Sequence, residues 1–172
     1  MALPLTRNTT YAAGSQLKSS DMNDLQDKLI DEHFDGDGKV SAMAGVQTTG
    51  AGGTFDAEGS WTAGALSDVF SIPLTVRPGV RLVAVRARIT DDAASGTVTM
   101  DVRKSTDGSS ASLGTDVSAG DGAAQDLAVT GLTEDIGAVG TPGVQYLARF
   151  TFSAGGSVRI IHGIEWETGI VP

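Results

Sequence analysis

Residues 80–90 read VRLVAVRARIT, and their apolar and polar side chains alternate along the chain. One face is predicted to hold Val83, Val85, Ala87 and Ile89, and the opposite face Arg86 and Arg88. An alternation of period two is typical of a β-strand with one face buried and the other in water. The segment therefore predicts a long strand beside a hydrophobic core.

The same period of two recurs in three further segments, which are 97–103, 144–152 and 157–167. In the last segment the predicted core face consists of Val158, Ile160, His162, Ile164 and Trp166. Weaker strands are predicted near residues 40–48, 67–76, 110–117 and 124–130. Clusters of Gly, Ser and Asp separate these segments and predict tight turns between them.

Some eight short strands, each with one polar face and with no helical crossover between them, predict antiparallel pairing. We therefore expect an all-β fold, an antiparallel β-sandwich or jelly roll. The Gly-rich stretch 49–64, TGAGGTFDAEGSWTAG, is predicted to form an exposed and mobile loop. Its Trp61 is the one plausible candidate in the sequence for an exposed aromatic side chain.

Composition limits the classes of function. The 172 residues suit one domain, or one domain with an appendage. With 12 basic and 21 acidic residues the net charge is −9, which repels phosphate backbones and predicts no nucleic-acid partner. Cysteine is absent, which removes disulfides and thiolate catalysis. No apolar run approaches the roughly 18 residues that span a bilayer, and residues 1–17 lack a secretory signal, so we expect no membrane insertion and synthesis in the cytoplasm.

The first 38 residues follow a different pattern. Residues 1–20 are predicted to form an extended arm, with apolar anchors at Leu3, Leu5, Tyr11 and Leu17. A short α-helix should follow, with Ser20 as its N-cap and with an apolar stripe of Met22, Leu25 and Leu29. A helix of about 14 residues is marginal alone, so its stripe needs a docking surface. We predict an attachment and oligomerisation segment at 1–38 and a β-sandwich domain at 39–172.

No motif in the sequence predicts catalysis. His162 is expected to be a core histidine with satisfied hydrogen bonds, and no G-x-S-x-G elbow accompanies the serines. Glu165 and Glu167 alternate onto one strand face, as either a solvated surface or a carboxylate pair for sugar hydrolysis. The stretch 34–40, FDGDGKV, resembles a calcium loop, but Lys39 stands where the third acid is needed, so a helix stop is favoured. We predict no catalytic residue, no cofactor and no metal.

Four arginines are predicted to form one outward set on adjacent strands: Arg86, Arg88, Arg103 and Arg149. One interpretation is a basic face that meets an acidic neighbouring subunit, for which the acid-rich region 21–37 is a candidate. The other interpretation is an ordinary solvated sheet face. The sequence leaves both open.

Two stretches resemble structural proteins of tailed bacteriophages. Residues 11–39 read YAAGSQLKSSDMNDLQDKLIDEHFDGDGK, in which a Y-x-x-G-x-x-L-x-x-x-D-x-N-x-L-Q-D arrangement precedes an H-x-D-G turn. This is similar to the N-terminal regions of fibre, spike and other tail-associated proteins. The matching residues are Tyr11, Gly14, Leu17, Asp21, Asn23, Leu25, Gln26, Asp27, His33, Asp35 and Gly36. Residues 70–108, from FSIPL to STDG, look like the jelly-roll domains common in such proteins.

The resemblance implies a small tail fibre, spike or decoration protein of the virion, anchored to the particle through its N-terminal arm. It also implies a homo-oligomer, most often a trimer, with other virion proteins as partners and the β domain displayed outward. We therefore expect a non-enzymatic structural protein. Two alternatives stay open: a carbohydrate-binding or receptor-binding β-sandwich that meets a host-surface glycan through Trp61, and a glycan hydrolase that uses Glu165 and Glu167.

Overall fold

Twelve short strands make up most of the chain that the structure describes. In this computed structural model the described residues are 38–50, 52–65, 67–91, 96–119, 123–137, 143–153 and 159–171. The strands are β1 (Gly38–Ser41), β2 (Val46–Thr49), β3 (Thr54–Phe55), β4 (Trp61–Thr62), β5 (Val69–Leu74), β6 (Val80–Asp91), β7 (Val98–Thr106), β8 (Ser109–Val117), β9 (Ala124–Val129), β10 (Glu134–Asp135), β11 (Val144–Phe152) and β12 (Arg159–Ile170). A 3-10 turn, Ala42–Ala44, follows β1.

The predicted arm and helix lie outside the described residues. So do their anchors, which are Leu3, Leu5, Tyr11, Leu17, Met22, Leu25 and Leu29, and the first four residues of the stretch 34–40. The described residues belong to the unit Gly36–Pro172, and the domain boundary at residue 38 stays a prediction. Among them no helix is long and apolar enough to cross a membrane.

The strands form two antiparallel sheets whose buried faces share one core. In the seven-stranded sheet β6 and β12 pair at the centre; β9 and β10 pair with the far side of β6, and β1 and β4 with the far side of β12, with β3 beyond β4. The five-stranded sheet has the order β2-β5-β11-β7-β8. The predicted all-β antiparallel sandwich is confirmed.

The core consists mainly of aliphatic side chains and contains a stacked group of aromatic rings. Trp61 stacks on Phe70 with ring centroids 4.3 Å apart, and Phe152 lies 5.8 Å from Trp61. The largest fully buried aliphatic side chains are Ile72, Leu82, Ile89, Met100, Leu127 and Ile161.

The alternation predicted for β7 and β11 is confirmed. Val98, Met100 and Val102 are buried on β7. On β11 the buried residues are Tyr146, Ala148, Phe150 and Phe152. Each strand therefore contributes one whole face to the core, as a regular pleat requires.

The predicted faces of β6 and β12 are wrong at Val83, Ile160 and His162, because the pairing of these strands contains two register shifts, one at Ile161/Gly163 and one at Glu167/Thr168. An extra residue at a bulge turns the rest of a strand onto its other face. On β6, Leu82 is buried and Val83 lies on the outer side, whereas Val85 is buried as predicted. On β12, Ile161 replaces the predicted Ile160 in the core.

The described residues of the stretch 49–64 are largely exposed, as predicted, but they also contain a short hairpin. β3 pairs with β4, and β4 pairs with β12 through Trp61 opposite Ile161. This pairing directs the indole into the space between the sheets, where Trp61 is only 1% exposed. The prediction of a surface tryptophan is therefore wrong. A Cβ atom on Gly53 would lie 2.3 Å from the Trp61 ring, so the hairpin packs closely around the indole.

Candidate functional site

Two concave surfaces on the sandwich bring polar side chains together. We call the first the end cavity; it lies at one end of the sandwich and is lined by Leu74, Val76, Lys104, Asp135, Ile136, Gln145 and Tyr146, among others. We call the second the sheet groove; it lies on the outer face of the seven-stranded sheet and includes Lys39, Arg86, Arg88, Asp126, His162 and Glu165. Their volumes are about 610 Å³ and about 560 Å³.

The end cavity is built by chain segments that meet at one end of both sheets. The end of β5 and the turn into β6 supply Leu74 and Val76, and the segment after β10 supplies Ile136. The backbone fixes this closure, because Gly79 N–H donates to the Ile136 carbonyl at 2.8 Å and Ile136 N–H donates to the Val80 carbonyl at 2.8 Å. Loops at the end of a sandwich are held by rigid strands, which is why such positions commonly carry binding sites.

Two residues that line the end cavity, Lys104 and Tyr146, share a hydrogen-bonding partner in Glu134. Glu134 Oε1 accepts a hydrogen bond from Lys104 Nζ at 2.6 Å and another from the Tyr146 hydroxyl at 2.9 Å. The Lys104 ammonium also lies 6.0 Å from the centre of the Tyr146 ring. The three residues come from β10, β7 and β11, so both sheets hold them in place.

Tyr146 is shielded from water, with 9% of its surface exposed. Burial, followed by the hydrogen bond to Glu134 and the negative charge of that carboxylate, raises the pKa of Tyr146 above its ordinary value. The phenol therefore keeps its proton through the neutral and mildly alkaline range. It acts as a hydrogen-bond donor to Glu134, while its ring forms part of the cavity wall.

A charged pair borders the end cavity. Arg81 Nε donates to Asp135 Oδ1 at 2.5 Å and Arg81 Nη2 donates to Oδ2 at 3.0 Å, which is a bidentate arrangement. The hydrogen bond from Arg81 holds the pKa of Asp135 below its ordinary value, and the same contact raises the pKa of Arg81. Asp135 thus offers a fixed carboxylate at the cavity edge.

The sheet groove is crossed by ion pairs between neighbouring strands. Arg88 Nη1 lies 3.0 Å from Asp126 Oδ1, Arg86 Nη1 lies 3.3 Å from Glu167 Oε2, and Lys39 Nζ lies 4.0 Å from Glu165 Oε2. Each of these side chains is at least 42% exposed. Exposed pairs of this kind contribute little stability, but they leave the groove without strong net charge.

Glu165 and Glu167 share the outer face of β12, as predicted. Each is paired with a cation of a neighbouring strand, and each is about half exposed on an open sheet. Acid and base catalysis by two carboxylates requires them to face one bound sugar inside a cleft. Their placement therefore gives the hydrolase interpretation no support.

His162 lies in the sheet groove, so its predicted place on the core face is wrong. The register shift at Ile161/Gly163 turns it outward. Its Nδ1 contacts Ser60 Oγ at 3.0 Å and its Nε2 contacts Thr90 Oγ1 at 2.9 Å. In the described residues the imidazole thus has hydroxyl partners at both nitrogens and no carboxylate to orient it, unlike the base of a nucleophilic triad.

The four arginines do not form one set. Arg86 and Arg88 lie on β6 in the seven-stranded sheet, whereas Arg103 and Arg149 lie on β7 and β11 in the five-stranded sheet. The outer faces of the two sheets point in opposite directions, so the single basic face predicted from the sequence is wrong. The sequence could not assign these strands to different sheets.

The sequence pattern does not reveal the end cavity. Tyr146 lies within the predicted strand 144–152, and neither Lys104 nor Glu134 belongs to a recognisable motif. Glu134 begins the two-residue strand β10, which is too short to show a period. Across the described ranges no group of three or more His, Asp or Glu residues is placed to hold a metal ion.

Comparison with known proteins gives structural neighbours alone. No family model matches the chain, and no curated protein matches it. The chain is similar to the C-terminal CBM6 of LamC, a laminarinase of Zobellia galactanivorans, at 16% identity over 76% of this chain and 98% of that one, with a TM-score of 0.51. It is also similar to a β-1,3-glucan-binding CBM6 of Bacillus halodurans, at 14% identity over 76% and 95%, with a TM-score of 0.50.

A third neighbour is the GH26-CBM35 β-(1,4)-mannanase of Podospora anserina, at 14% identity and a TM-score of 0.50. The match covers 80% of this chain and spans 29% of the length of that enzyme. At these identities the likenesses concern the fold, and they agree with the jelly-roll sandwich described above.

Proposed function

We propose that the β-sandwich is a non-catalytic module that binds a glycan in the end cavity. The observation that carries this proposal is the combination of lining groups in that cavity. Leu74, Val76 and Ile136 offer apolar surface beside the Tyr146 ring, and Lys104, Asp135 and Gln145 offer polar atoms. A sugar has the matching surfaces, since its ring carries an apolar C–H face and a rim of hydroxyl groups.

The fold supports the choice of ligand class. Solved carbohydrate-binding modules have this two-sheet architecture, and one of them is described as binding β-1,3-glucan. The surface through which this chain would bind differs from the one expected from the sequence. Trp61 is buried against Phe70 and serves the core, so the end cavity takes the place of an exposed tryptophan.

A glycan array, followed by titration calorimetry with the best ligand, tests the proposal. β-1,3-glucan and β-1,4-mannan oligosaccharides are the first probes. We expect Lys104→Ala to weaken binding by about tenfold, because a charged hydrogen-bond donor is lost from the cavity. Lys39→Ala, which removes the same charge from the sheet groove, should bind like the unaltered protein.

Two results would count against the end cavity. An array without any bound glycan would remove the proposed ligand class. Loss of binding in Lys39→Ala with full binding in Lys104→Ala would move the site to the sheet groove. Thermal unfolding of each variant shows whether a loss of binding follows from a loss of fold.

We propose, as a second function compatible with the first, that the chain is a structural component of a tailed-phage particle. The residue pattern at 11–39 supports this proposal. So does one side of the sandwich, where β2 and β3 end their sheets. Met43, Val46 and Phe55 are 65%, 62% and 48% exposed there. Apolar side chains beside edge strands are typical of surfaces that another subunit covers.

Light scattering on the full chain and on a chain without residues 1–20 tests the assembly role. We expect an oligomer, most simply a trimer, for the full chain. The shortened chain should keep its β-rich circular dichroism and lose its oligomeric state. An unchanged number of subunits after the deletion would reject the arm as the assembly element.

A further inference from the structure

Arg149 lies at the centre of the outer face of the five-stranded sheet. Its neighbours across the sheet are Ser71 on β5 and Asp101 on β7, with Thr115 on β8 beyond Asp101 in the same row. The adjacent residues of β11, Ala148 and Phe150, are fully buried. Since side chains alternate along a strand, the Arg149 guanidinium lies on the side that faces away from the core.

Within the part of the chain that the structure describes, the Arg149 guanidinium has no partner. Its Nε atom is buried and makes no hydrogen bond. The remaining nitrogens make no hydrogen bond or ion pair either. An arginine that is half-buried in a sheet loses part of its hydration, so a missing partner leaves its charge poorly satisfied.

Asp101, the acid directly opposite, is engaged by other residues. Arg103 Nη1 donates to Asp101 Oδ2, and Ser112 Oγ donates to Asp101 Oδ1 at 2.6 Å. Arg103 is also held by Ser110, whose Oγ accepts a hydrogen bond from Arg103 Nε at 2.6 Å. Both oxygens of Asp101 are thus in use, and the positive charge of Arg149 remains uncompensated.

The charge balance of this face differs from that of the chain. Asp101, Arg103 and Arg149 are the charged residues at its outward strand positions, and Asp101 neutralises Arg103. Arg149 therefore gives this face a net positive charge on a chain whose overall charge is −9. A localised positive site on this face pairs with one carboxylate group of a ligand.

The groups around Arg149 have the chemistry of a sugar site. Three residues with hydroxyl groups lie nearby: Ser71 is opposite Arg149, and Thr151, two residues along β11, is opposite Thr99 on β7. In the other direction Leu147 is paired with Pro73, which provides a small apolar surface. An acidic sugar has the complementary groups: its carboxylate suits the guanidinium, its hydroxyls suit the Ser and Thr side chains, and its C–H face suits the apolar patch.

We propose that Arg149 anchors the carboxylate of an acidic sugar, a uronic acid residue, on the outer face of the five-stranded sheet. The planar guanidinium binds a carboxylate through two parallel hydrogen bonds, which fixes the sugar's orientation. Ser71 and Thr151 then bond ring hydroxyls. This site is separate from the end cavity and does not depend on it.

Calorimetric titration with a galacturonate tetrasaccharide tests the proposal, with its methyl ester as the uncharged ligand. The unaltered protein should bind the acidic form, more weakly as salt is raised, and should bind the ester at least tenfold more weakly. Arg149→Gln should weaken binding of the acid at least tenfold. Arg77→Gln removes an equal charge from an exposed turn and should stay within twofold of the unaltered protein.

Three outcomes would overturn the assignment. Equal affinity for the acid and the ester would reject the carboxylate contact. Equal affinity of Arg149→Gln and Arg77→Gln for the acidic tetrasaccharide would reject Arg149 as the residue that binds the carboxylate. Equal affinity for a tetraglutamate peptide would reject a sugar as the ligand.

Two further measurements separate a failure of this site from other causes. If Arg149→Gln unfolds, amide shifts of the unaltered protein on adding the tetrasaccharide should centre on Ser71, Asp101 and Thr151, and shifts elsewhere would reject the site. Lys104→Ala should bind the acidic sugar normally at Arg149. By contrast, an array on which no neutral glycan binds would count against the end-cavity proposal and would leave the Arg149 proposal unaffected.

Discussion

At the scale of single residues, burial separates side chains that sequence alone makes equivalent. Trp61 and Phe55 are partners across the β3–β4 hairpin, yet Trp61 is 1% exposed and Phe55 is 48% exposed. Phe55 still touches the core, with its ring centre 6.1 Å from that of Phe70. One of the two aromatics therefore holds the sheets together, and the other lies largely at the surface.

This difference predicts unequal costs of truncation. Trp61→Ala should lower the free energy of unfolding by about 3–5 kcal/mol, because it leaves a cavity between the sheets. Phe55→Ala should cost about 1 kcal/mol, since much of its ring is already in water. Urea unfolding measures both, and equal costs would contradict the packing described for Trp61.

Tyr146 is expected to make the free energy of unfolding fall as the pH rises into the alkaline range. Its pKa is raised in the folded protein, so the folded chain keeps a proton that the unfolded chain releases above the ordinary tyrosine pKa of 10.0. The stabilisation is complete below that pH and is lost as pH rises further. In Tyr146→Phe this part of the decline should vanish, and stability at neutral pH should fall by about 1 kcal/mol because the bond to Glu134 is lost.

The measurement is a series of urea unfolding curves between pH 8 and pH 12 for both proteins. A steeper alkaline decline in Tyr146→Phe than in the unaltered protein would contradict the proposed environment of the phenol. Other tyrosine and lysine groups titrate in the same range, and the comparison of the two proteins subtracts their effects.

At the scale of strands, a period of two in the sequence predicts where the longer strands lie. It does not predict which face is buried where the pairing is irregular. β7 and β11 are regular, and their buried faces follow directly from alternation. β6 and β12 contain register shifts that no feature of the apolar pattern marks, so Val83 and His162 were placed on the wrong faces. The two-residue strands β3, β4 and β10 are too short for any period to show.

The shift in β12 includes a glycine that the fold requires. A Cβ atom on Gly163 would lie 2.6 Å from the Val40 carbonyl oxygen and 3.2 Å from Ser41 Cα. Both contacts are with backbone of β1, which cannot turn away as a flexible side chain does. Gly163→Ala should therefore separate β1 from β12 and lower the free energy of unfolding by about 2 kcal/mol.

Hydrogen exchange locates this effect. Amides of β1 should exchange faster in Gly163→Ala, whereas amides of β7 in the other sheet should lose only the protection that follows from lower global stability. Unchanged protection at Lys39 and Ser41 would show that β1 tolerates the added methyl group.

At the scale of the whole molecule, sequence predicted the architecture and left the site undetermined. Antiparallel strands without crossovers leave few arrangements other than a sandwich, and that prediction is confirmed. The end cavity joins Leu74, Lys104, Asp135 and Tyr146, which are far apart in sequence. Their proximity depends on which strand belongs to which sheet, and alternation carries no information about sheet order.

The same reasoning separates the two proposed functions. The virion role rests on the residue pattern at 11–39, outside the described residues, and on an apolar side of the sandwich. The glycan role rests on the geometry of the end cavity. The two proposals are tested by separate experiments, on glycan binding and on oligomeric state.

The central claim is that a glycan binds in the end cavity, and mapping amide shifts during titration tests it most directly. The probe is the glycan that gives the strongest array signal, added to the full chain labelled with ¹⁵N. We predict saturable shifts at Val76, Asp135 and Gln145, with the amides of Lys39 and Glu165 unaffected. Shifts confined to the sheet groove, or no shifts at saturating glycan, would contradict the claim.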